Sequence, residues 1–147
     1  MIVRTAEKAD FPAWAAMRGR LWPEEDPAEL ERELPGPPGT LGLVAEKEGR
    51  LIGFAEAAVR NYAEGSAGPA AYLEGIWVEP EHRRRGVARA LLAAVENWGR
   101  RQGLAHLGSD ALLDNRVSHR WHSATGFAEV ERLVVFGKPL LDAPKHG

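Results

Sequence analysis

The chain has 147 residues and 16.1 kDa, the size of one domain; 44% of its residues are apolar and 27% charged, and its mean hydropathy is −0.33. A domain of this size buries roughly 68–70% of its unfolded surface and needs no metal or disulfide staple, and the absence of cysteine excludes a disulfide scaffold, a cysteine nucleophile and a thiolate metal site. The formal net charge of −2 excludes a nucleic-acid module that works by bulk positive field.

Along the chain, Ile2 to Arg4 reads as a short strand, after which Asp10 caps a helix running to Leu21. Pro12 lies in the first turn of that helix, where a missing N–H costs little. An acidic helix is expected from Pro27 to Leu34, and Pro35-Gly36-Pro37-Pro38-Gly39 then reads as a loop. Leu41 to Ala45 and Leu51 to Val59 form a hairpin around Glu48-Gly49. A Gly/Ala/Pro-rich loop from Glu64 to Ala70 leads to a strand from Tyr72 to Val78. From Gly86 to Arg101 the pattern is helical, with Val87, Leu91, Ala94, Val95 and Trp98 on one face and Arg89, Glu96 and Arg100 on the other. Leu104 to Asp110 reads as the next strand, with one right-handed parallel crossover from Tyr72 to Asp110. Asp114 or Asn115 caps a last helix that stops at Gly126, and Phe127 to Phe136 completes the chain as a long strand. The order βααβββαβαβ defines an α/β domain with a mixed sheet. No apolar run approaches the ~20 residues of a membrane span, and the opening MIVRTAEKADF lacks the apolar core of a signal peptide. The expected location is the cytoplasm.

The charge is strongly segregated. Between Glu24 and Glu33 six acids face the single base Arg32, whereas six arginines between Glu81 and Arg101 face only Glu81 and Glu96. A solvated surface without a partner mixes its signs more evenly, so the clusters suggest two binding functions of opposite sign. The basic cluster lies where a strand ends at Pro80, a tight turn follows and a helix begins at Gly86. The first amides of a helix point outward with a positive dipole. The short residues Gly86 and Ala88 let a phosphate approach them, and the flanking arginines strengthen that cradle.

Arg83-x-x-Gly86-x-Ala88 resembles the acyl-CoA-binding motif of the GNAT superfamily of N-acyltransferases, and the element order is similar over nearly the whole chain. The resemblance implies a single-domain GNAT fold over residues 1–147. Its sheet is mixed and mostly antiparallel, with a parallel splayed pair and flanking helices. It implies a β-bulge in the strand before the motif, with Ile76, Trp77 and Val78 along the pantetheine arm of acetyl-CoA. Arg84, Arg85, Gly86, Val87, Ala88 and Arg89 would hold the pyrophosphate. The absence of a Walker-type Gly-x-x-x-x-Gly-Lys-Ser/Thr removes the main rival for phosphate binding. The segment from Asn115 to Phe127 is similar to the family's N…Y…GF signature, with His122 where many members carry a tyrosine beside the CoA sulfur. Asn115 and His122 share one helix face about 10 Å from end to end. An imidazole can donate a proton to a leaving thiolate near neutral pH, although a half-exposed histidine can also merely cap or pack.

The acceptor is argued from acids and aromatics. Glu74 in mid-strand either pairs with a structural arginine or faces a cleft, and the cleft is the favoured reading. Asp110 ends the next strand, where ligands of open α/β sheets gather. Glu131 shares a face with Phe127, Leu133 and Val135 in the last strand, and Trp22 stands beside Glu24, Glu25 and Asp26. Together these residues favour a cleft for a polycationic small molecule.

Trp22 in Leu-Trp-Pro-Glu, the Tyr72–Val78 strand, Gly108-Ser-Asp110…Asn115 and Gly126-Phe-Ala-Glu-Val-Glu131 resemble the aminoglycoside 6′-N-acetyltransferases. By that resemblance Trp22, Glu25, Tyr62, Glu74, Asp110 and Glu131 line an aminoglycoside pocket and Asn115 touches the cofactor. Some members have a histidine in place of Glu25, and the loop between Tyr62 and Glu74 is slightly shortened. Glu74 is the first candidate for the base that deprotonates the attacking amine, and Asp110 the second. Backbone N–H groups of the bulged strand would polarise the acetyl carbonyl. No covalent acetyl-enzyme is expected, because cysteine is absent and no serine stands beside a recognisable base and orienting group. Two other readings stand beside this one. One is acetylation of a polyamine, an amino acid or a protein N-terminus; the other is a non-catalytic module binding acyl-CoA or an aminoglycoside. Neither a metal nor a nucleic-acid or membrane partner is expected. A homodimer is implied by the resemblance and by exposed edge strands.

Overall fold

A computed structural model describes residues 1–141. A five-stranded sheet of order β1-β2-β3-β4-β5 runs through it, formed by β1 (Ile2–Thr5), β2 (Thr40–Lys47), β3 (Arg50–Arg60), β4 (Ala70–Val78) and β5 (Leu107–Ser109). All neighbours are antiparallel except β4 and β5, which are parallel. The hairpin turns at Glu48-Gly49 with both φ angles positive, the geometry of a two-residue connection.

Alternation along the strands sends successive side chains to opposite faces, and each face meets different helices. On one face α1 (Phe11–Leu21) contributes Trp14 and Met17, which pack with Val44 and Phe54. On the other, α3 (Val87–Arg101) lays Val87, Leu91, Leu92, Val95 and Trp98 on Ala55, Ala57, Ala71 and Leu73. Ala94, read as a core position, is only half-buried, and Leu92 and Gly99 complete the stripe. The acidic helix α2 (Pro27–Arg32) is shorter than expected and buries Leu30; the Asp26 carboxylate accepts from the Ala28 N–H at its start. The last helix, α4 (Arg116–Ala124), is capped by Asn115, whose Oδ1 accepts from the Ser118 N–H at 3.2 Å. It closes with the Phe127 N–H donating to His122 O.

Three expectations are corrected. Asp10 precedes α1 but does not cap it through its side chain; it forks instead with Arg4 (2.7 and 2.9 Å) and accepts from the Glu7 N–H. The strand expected from Leu104 is only Leu107–Ser109, because β4 pairs with it at three positions alone. The final strand from Phe127 to Phe136 does not form. Residues 127–139 carry no regular structure, and Val135 and Phe136 are 83% and 89% exposed. The alternating apolar pattern is present, but among the described residues no strand receives it.

The Arg4 guanidinium holds the Asp10 carboxyl below the usual carboxylate range. A depressed folded value favours the folded state above the ordinary carboxylate value of about 3.9, and that contribution is lost as pH falls through the folded value. Asp10→Asn is therefore expected to cost about 1–2 kcal/mol at pH 7. In urea unfolding the difference from the unmodified protein should shrink below about pH 4. A difference that persists undiminished at pH 2 would contradict the ion pair as its source.

Candidate active site

Three features meet around β4. The first is the turn from β4 into α3. Gly86 stands at the helix N-cap with φ +83°, and no side chain caps the first amides. A Cβ built at Gly86 would meet no protein atom within 4 Å, so the approach to those amides is open. Arg84 and Arg85 are exposed beside it, and the side chain of Val87 is buried, leaving only its backbone N–H to a ligand. Arg83 braces the turn: its Nε–H donates to Val78 O (2.8 Å) and its guanidinium lies 4.6 Å from the Trp77 ring centroid. Arg89 is exposed and reaches across to Ala124 O at the end of α4 (3.1 Å). An uncapped, open helix start with flanking arginines fits a pyrophosphate. Gly86→Val is expected to weaken acetyl-CoA binding roughly tenfold or more, by straining the positive φ and filling the approach. Calorimetric affinity equal to that of the unmodified protein would sink the cradle.

The second feature is a gap. β4 and β5 pair only at Ala71↔Leu107, Tyr72↔Gly108 and Leu73↔Ser109. From Glu74 to Val78 no strand among the described residues pairs with that edge of β4, so Ile76, Trp77 and Val78 keep backbone groups for an extended ligand. On the other edge the register jumps from Ala57↔Leu73 to Glu56↔Gly75, making Glu74 the bulged residue, as the family resemblance implied.

The third feature is a cavity of ≈ 600 Å³ on the α1–α2 face, lined by Trp22, four carboxylates (Glu25, Glu33, Glu56 and Glu74) and the guanidinium of Arg18. Trp22 closes one wall, edge-on to Phe54 at 6.2 Å. It lies so near β4 that a Cβ at position 75 would stand 2.7 Å from its ring, so Gly75 is what lets the indole in. Arg18 is only 7% exposed. Its Nε–H and Nη2–H fork onto Glu56 (2.7 and 2.9 Å), and Nη1–H donates to Leu30 O and Glu33. Burial works against its charge, but Glu56 and Glu33 outweigh burial and raise its pKa. Trp14 Nε1–H completes the network on Glu56 Oε2 (3.1 Å).

Glu74 combines both of its expected fates. It lines the cavity and is also forked by Arg60 at 2.9 and 2.7 Å. Arg60 lies over the Tyr72 ring (3.6 Å to the centroid), and the Tyr72 hydroxyl donates to Asp110 Oδ2 at 2.6 Å. Burial, then the Asp110 carboxylate, pushes the Tyr72 phenol above its ordinary pKa. Asp110 thus joins Glu74 through Tyr72 and Arg60 without lining the cavity. Tyr62 is 64% exposed and does not line it. Glu131, on the exposed arm, is not brought there either, because the strand that was to carry it does not form.

His122 is half-buried between Trp121 and Phe127, with ring centroids at 5.0 and 4.9 Å. Its Nδ1 lies 2.7 Å from Ser118 O and its Nε2 2.9 Å from Ser109 Oγ. A serine does therefore stand beside an oriented imidazole, contrary to the sequence expectation. Asn115 spends its Oδ1 on the cap, which leaves its amide N–H groups for a ligand. Among the described residues no cluster of three or more His, Cys, Asp or Glu could hold a metal ion, and no helix is long and apolar enough to cross a membrane.

Arg18, Glu56, Arg60, Tyr72 and Ser109 were missed from the sequence. Arg18 had a signal, since it follows Trp14 by four residues and so lies on the buried stripe of its helix. Glu56 had one too, alternating with the buried Phe54 on the same strand face. For Ser109 no such signal exists.

A bulged strand that parts from its parallel neighbour and is followed by an uncapped basic helix start is the arrangement the family resemblance implied. The chain belongs to the acetyltransferase (GNAT) family, whose profile matches residues 3–127. It is 42% identical over 142 residues to an aminoglycoside N(6′)-acetyltransferase type 1 of Stenotrophomonas maltophilia, covering 94% of this chain and 93% of that one. The crystal structure of aminoglycoside antibiotic 6′-N-acetyltransferase AAC(6′)-IG from Acinetobacter haemolyticus superposes with a TM-score of 0.87 at 35% identity, covering 95% and 99% of the two chains. AAC(6′)-Iy in complex with the bisubstrate analogue CoA-S-monomethyl-acetylneamine gives 0.86 at 34% identity, covering 94% and 97%.

Proposed function

We propose that this protein transfers the acetyl group of acetyl-CoA to the 6′-amine of an aminoglycoside antibiotic, by direct attack in a ternary complex, and thereby confers resistance. The observation that carries this reading is the Trp22-walled, carboxylate-lined cavity, which shares Glu74 with the bulge beside the open edge of β4. An aromatic wall covers a sugar ring, and the carboxylates orient its ammonium groups. The relatives' names and the bisubstrate complex of AAC(6′)-Iy support the same reading.

The bound amine arrives mostly protonated, and carboxylates that bind it favour that form. Glu74 takes the proton as attack proceeds, with Asp110 the second candidate. Trp22 and Glu25 hold the acceptor. Ile76, Trp77 and Val78 align the donor arm, the turn from Arg84 to Arg89 holds its pyrophosphate, and Asn115 contacts the donor from α4. Backbone N–H groups at the bulge polarise the carbonyl.

The protein acts as one domain and as a homodimer. Residues 127–136 find on a second copy the strand partner they lack among the described residues of their own, which covers Leu133, Val134, Val135 and Phe136. The exposure of that apolar run and the open outer edge of β5 support the dimer. We place the reaction in the cytoplasm, where its thioester donor is made.

A CoA-thiol release assay across 6′-amino aminoglycosides, their 6′-hydroxy analogues, polyamines and peptide amines tests the acceptor. Release confined to the 6′-amino compounds is expected. Equal turnover of polyamines, or drug binding without release, would overturn it.

A further inference from the structure

The sequence offers His122 as the group that protonates the departing CoA thiolate, yet in the folded protein both of its ring nitrogens are taken. Nδ1 is 2.7 Å from Ser118 O and 3.2 Å from Ser118 Oγ; the nearer partner, a carbonyl oxygen, only accepts, and the hydroxyl can accept too, which assigns the hydrogen to Nδ1. Nε2 is 2.9 Å from Ser109 Oγ, and Trp121 and Phe127 flank the ring. A proton leaving His122 therefore passes to Ser109.

Ser109 occupies a particular place. It belongs to the last pair of the β4–β5 ladder, Leu73↔Ser109, beyond which the two strands part. Its hydroxyl lies 3.4 Å from Leu73 O, across the closed end of the gap. The open edge of β4 runs from Glu74 to Val78, about 16 Å at the rise of a strand, and ends at the uncapped start of α3. A donor arm anchored by its pyrophosphate at that helix start and laid along this edge brings its thioester to the end where Ser109 stands. The faces also divide. Leu73 belongs to the core under α3, together with Trp121 and Phe127. Tyr72 and Glu74, two residues apart, project to the other face with Arg60 and Asp110.

We infer that Ser109 is the group that hands a proton to the departing thiolate, with His122 as the positioning and resupplying residue behind it. This rests on the acetyl-transfer reading and deepens it. As the amine nitrogen bonds to the acetyl carbon, the carbon–sulfur bond breaks and its electron pair stays on sulfur. The amine's proton goes to a carboxylate on the Glu74 face. The sulfur takes the Ser109 hydroxyl proton from the opposite face. Ser109 recovers a proton through Nε2 of His122, whose Nδ1–H stays on Ser118 O, and His122 takes the replacement proton from solvent. No acetyl group is bonded to the protein at any step.

The test compares Ser109→Ala, His122→Phe and the double variant on whichever amine of the acceptor panel turns over, so an error about the acceptor leaves it intact. Ser109→Ala is expected to lower kcat about 10²-fold with KM for both substrates within about twofold, the loss of one general acid. His122→Phe should fall to a similar level, and the double variant no further than about twofold below either. A kcat for Ser109→Ala within twofold of the unmodified enzyme, or losses that multiply in the double variant, would overturn the relay. Two further readouts do not depend on turnover. In the free protein, ¹⁵N NMR should show His122 protonated at Nδ1, with its Nε2 resonance displaced by Ser109→Ala; an Nε2–H tautomer unaffected by that change contradicts it. Mass spectrometry after incubation with acetyl-CoA alone should show no added acetyl group, and an adduct lost in Ser109→Ala would replace the relay with a covalent path.

Discussion

Glu74→Gln is expected to reduce kcat by about 10²–10³-fold while acetyl-CoA binding stays unchanged, since the amide keeps the shape of the bulge but cannot accept a proton from the amine. Arg60 makes this experiment sharper. Its fork already engages both Glu74 oxygens at 2.9 and 2.7 Å, so the carboxylate is oriented before any acceptor enters, and each oxygen keeps a lone pair for the substrate. A parallel Asp110→Asn variant separates the two candidate bases. Asp110 already accepts the Tyr72 hydroxyl at 2.6 Å and joins the site only through Tyr72 and Arg60; its amide should cost less turnover than Glu74→Gln. Steady-state kinetics with calorimetric acetyl-CoA binding decides the matter. Unchanged turnover in Glu74→Gln removes Glu74 from the mechanism, and a larger loss in Asp110→Asn transfers the role.

The largest loss of stability should come from Arg18→Met. The substitution leaves the side chain of Glu56, only 14% exposed, with its Trp14 donor but without its counter-charge, a change that costs about 3–5 kcal/mol when a buried pair loses one member. The double variant Arg18→Met with Glu56→Leu should recover most of that loss, because an apolar pair of similar volume needs no charge to be compensated. Urea unfolding monitored by tryptophan fluorescence measures both, with a shift in midpoint and an unchanged slope. The kinetic consequence is specific. Arg18 also holds Leu30 O and Glu33 and lies 5.1 Å from the Trp22 ring centroid, so Arg18→Lys should raise KM for the acceptor several-fold and leave KM for acetyl-CoA alone. A stability loss under 1 kcal/mol for Arg18→Met would show that the network does not carry the cavity wall.

What could be read along the chain were the features whose cause is local. The end of β4 at Val78, the start of α3 at Gly86, the Asn115 cap and the closing of α4 before Gly126 all follow from neighbouring residues. Periodicity likewise located the buried face of α3, missing only Leu92 and Gly99 and overstating Ala94. The family motif in the β4–α3 turn is of this kind, because a phosphate cradle is built from consecutive backbone amides. Glu74 was legible as an unusual acid, but whether it pairs or faces a cleft was not.

The sequence by itself determined the mixed sheet, the helix start that suits a pyrophosphate and the presence of acids and a tryptophan able to build a cationic site. Only the tertiary structure decided which acids meet. It forked Arg18 to Glu56 and Arg60 to Glu74, set Asp110 behind Tyr72, placed Ser109 against His122, and left residues 127–139 without a strand partner among the described residues. The reason is physical. A cap or a turn is settled by backbone hydrogen bonds a few residues apart, whereas an ion pair depends on how far two side chains reach once separate elements have packed. A strand, unlike a helix, borrows its hydrogen bonds from another segment, so an alternating pattern specifies a face but cannot supply the edge that completes it.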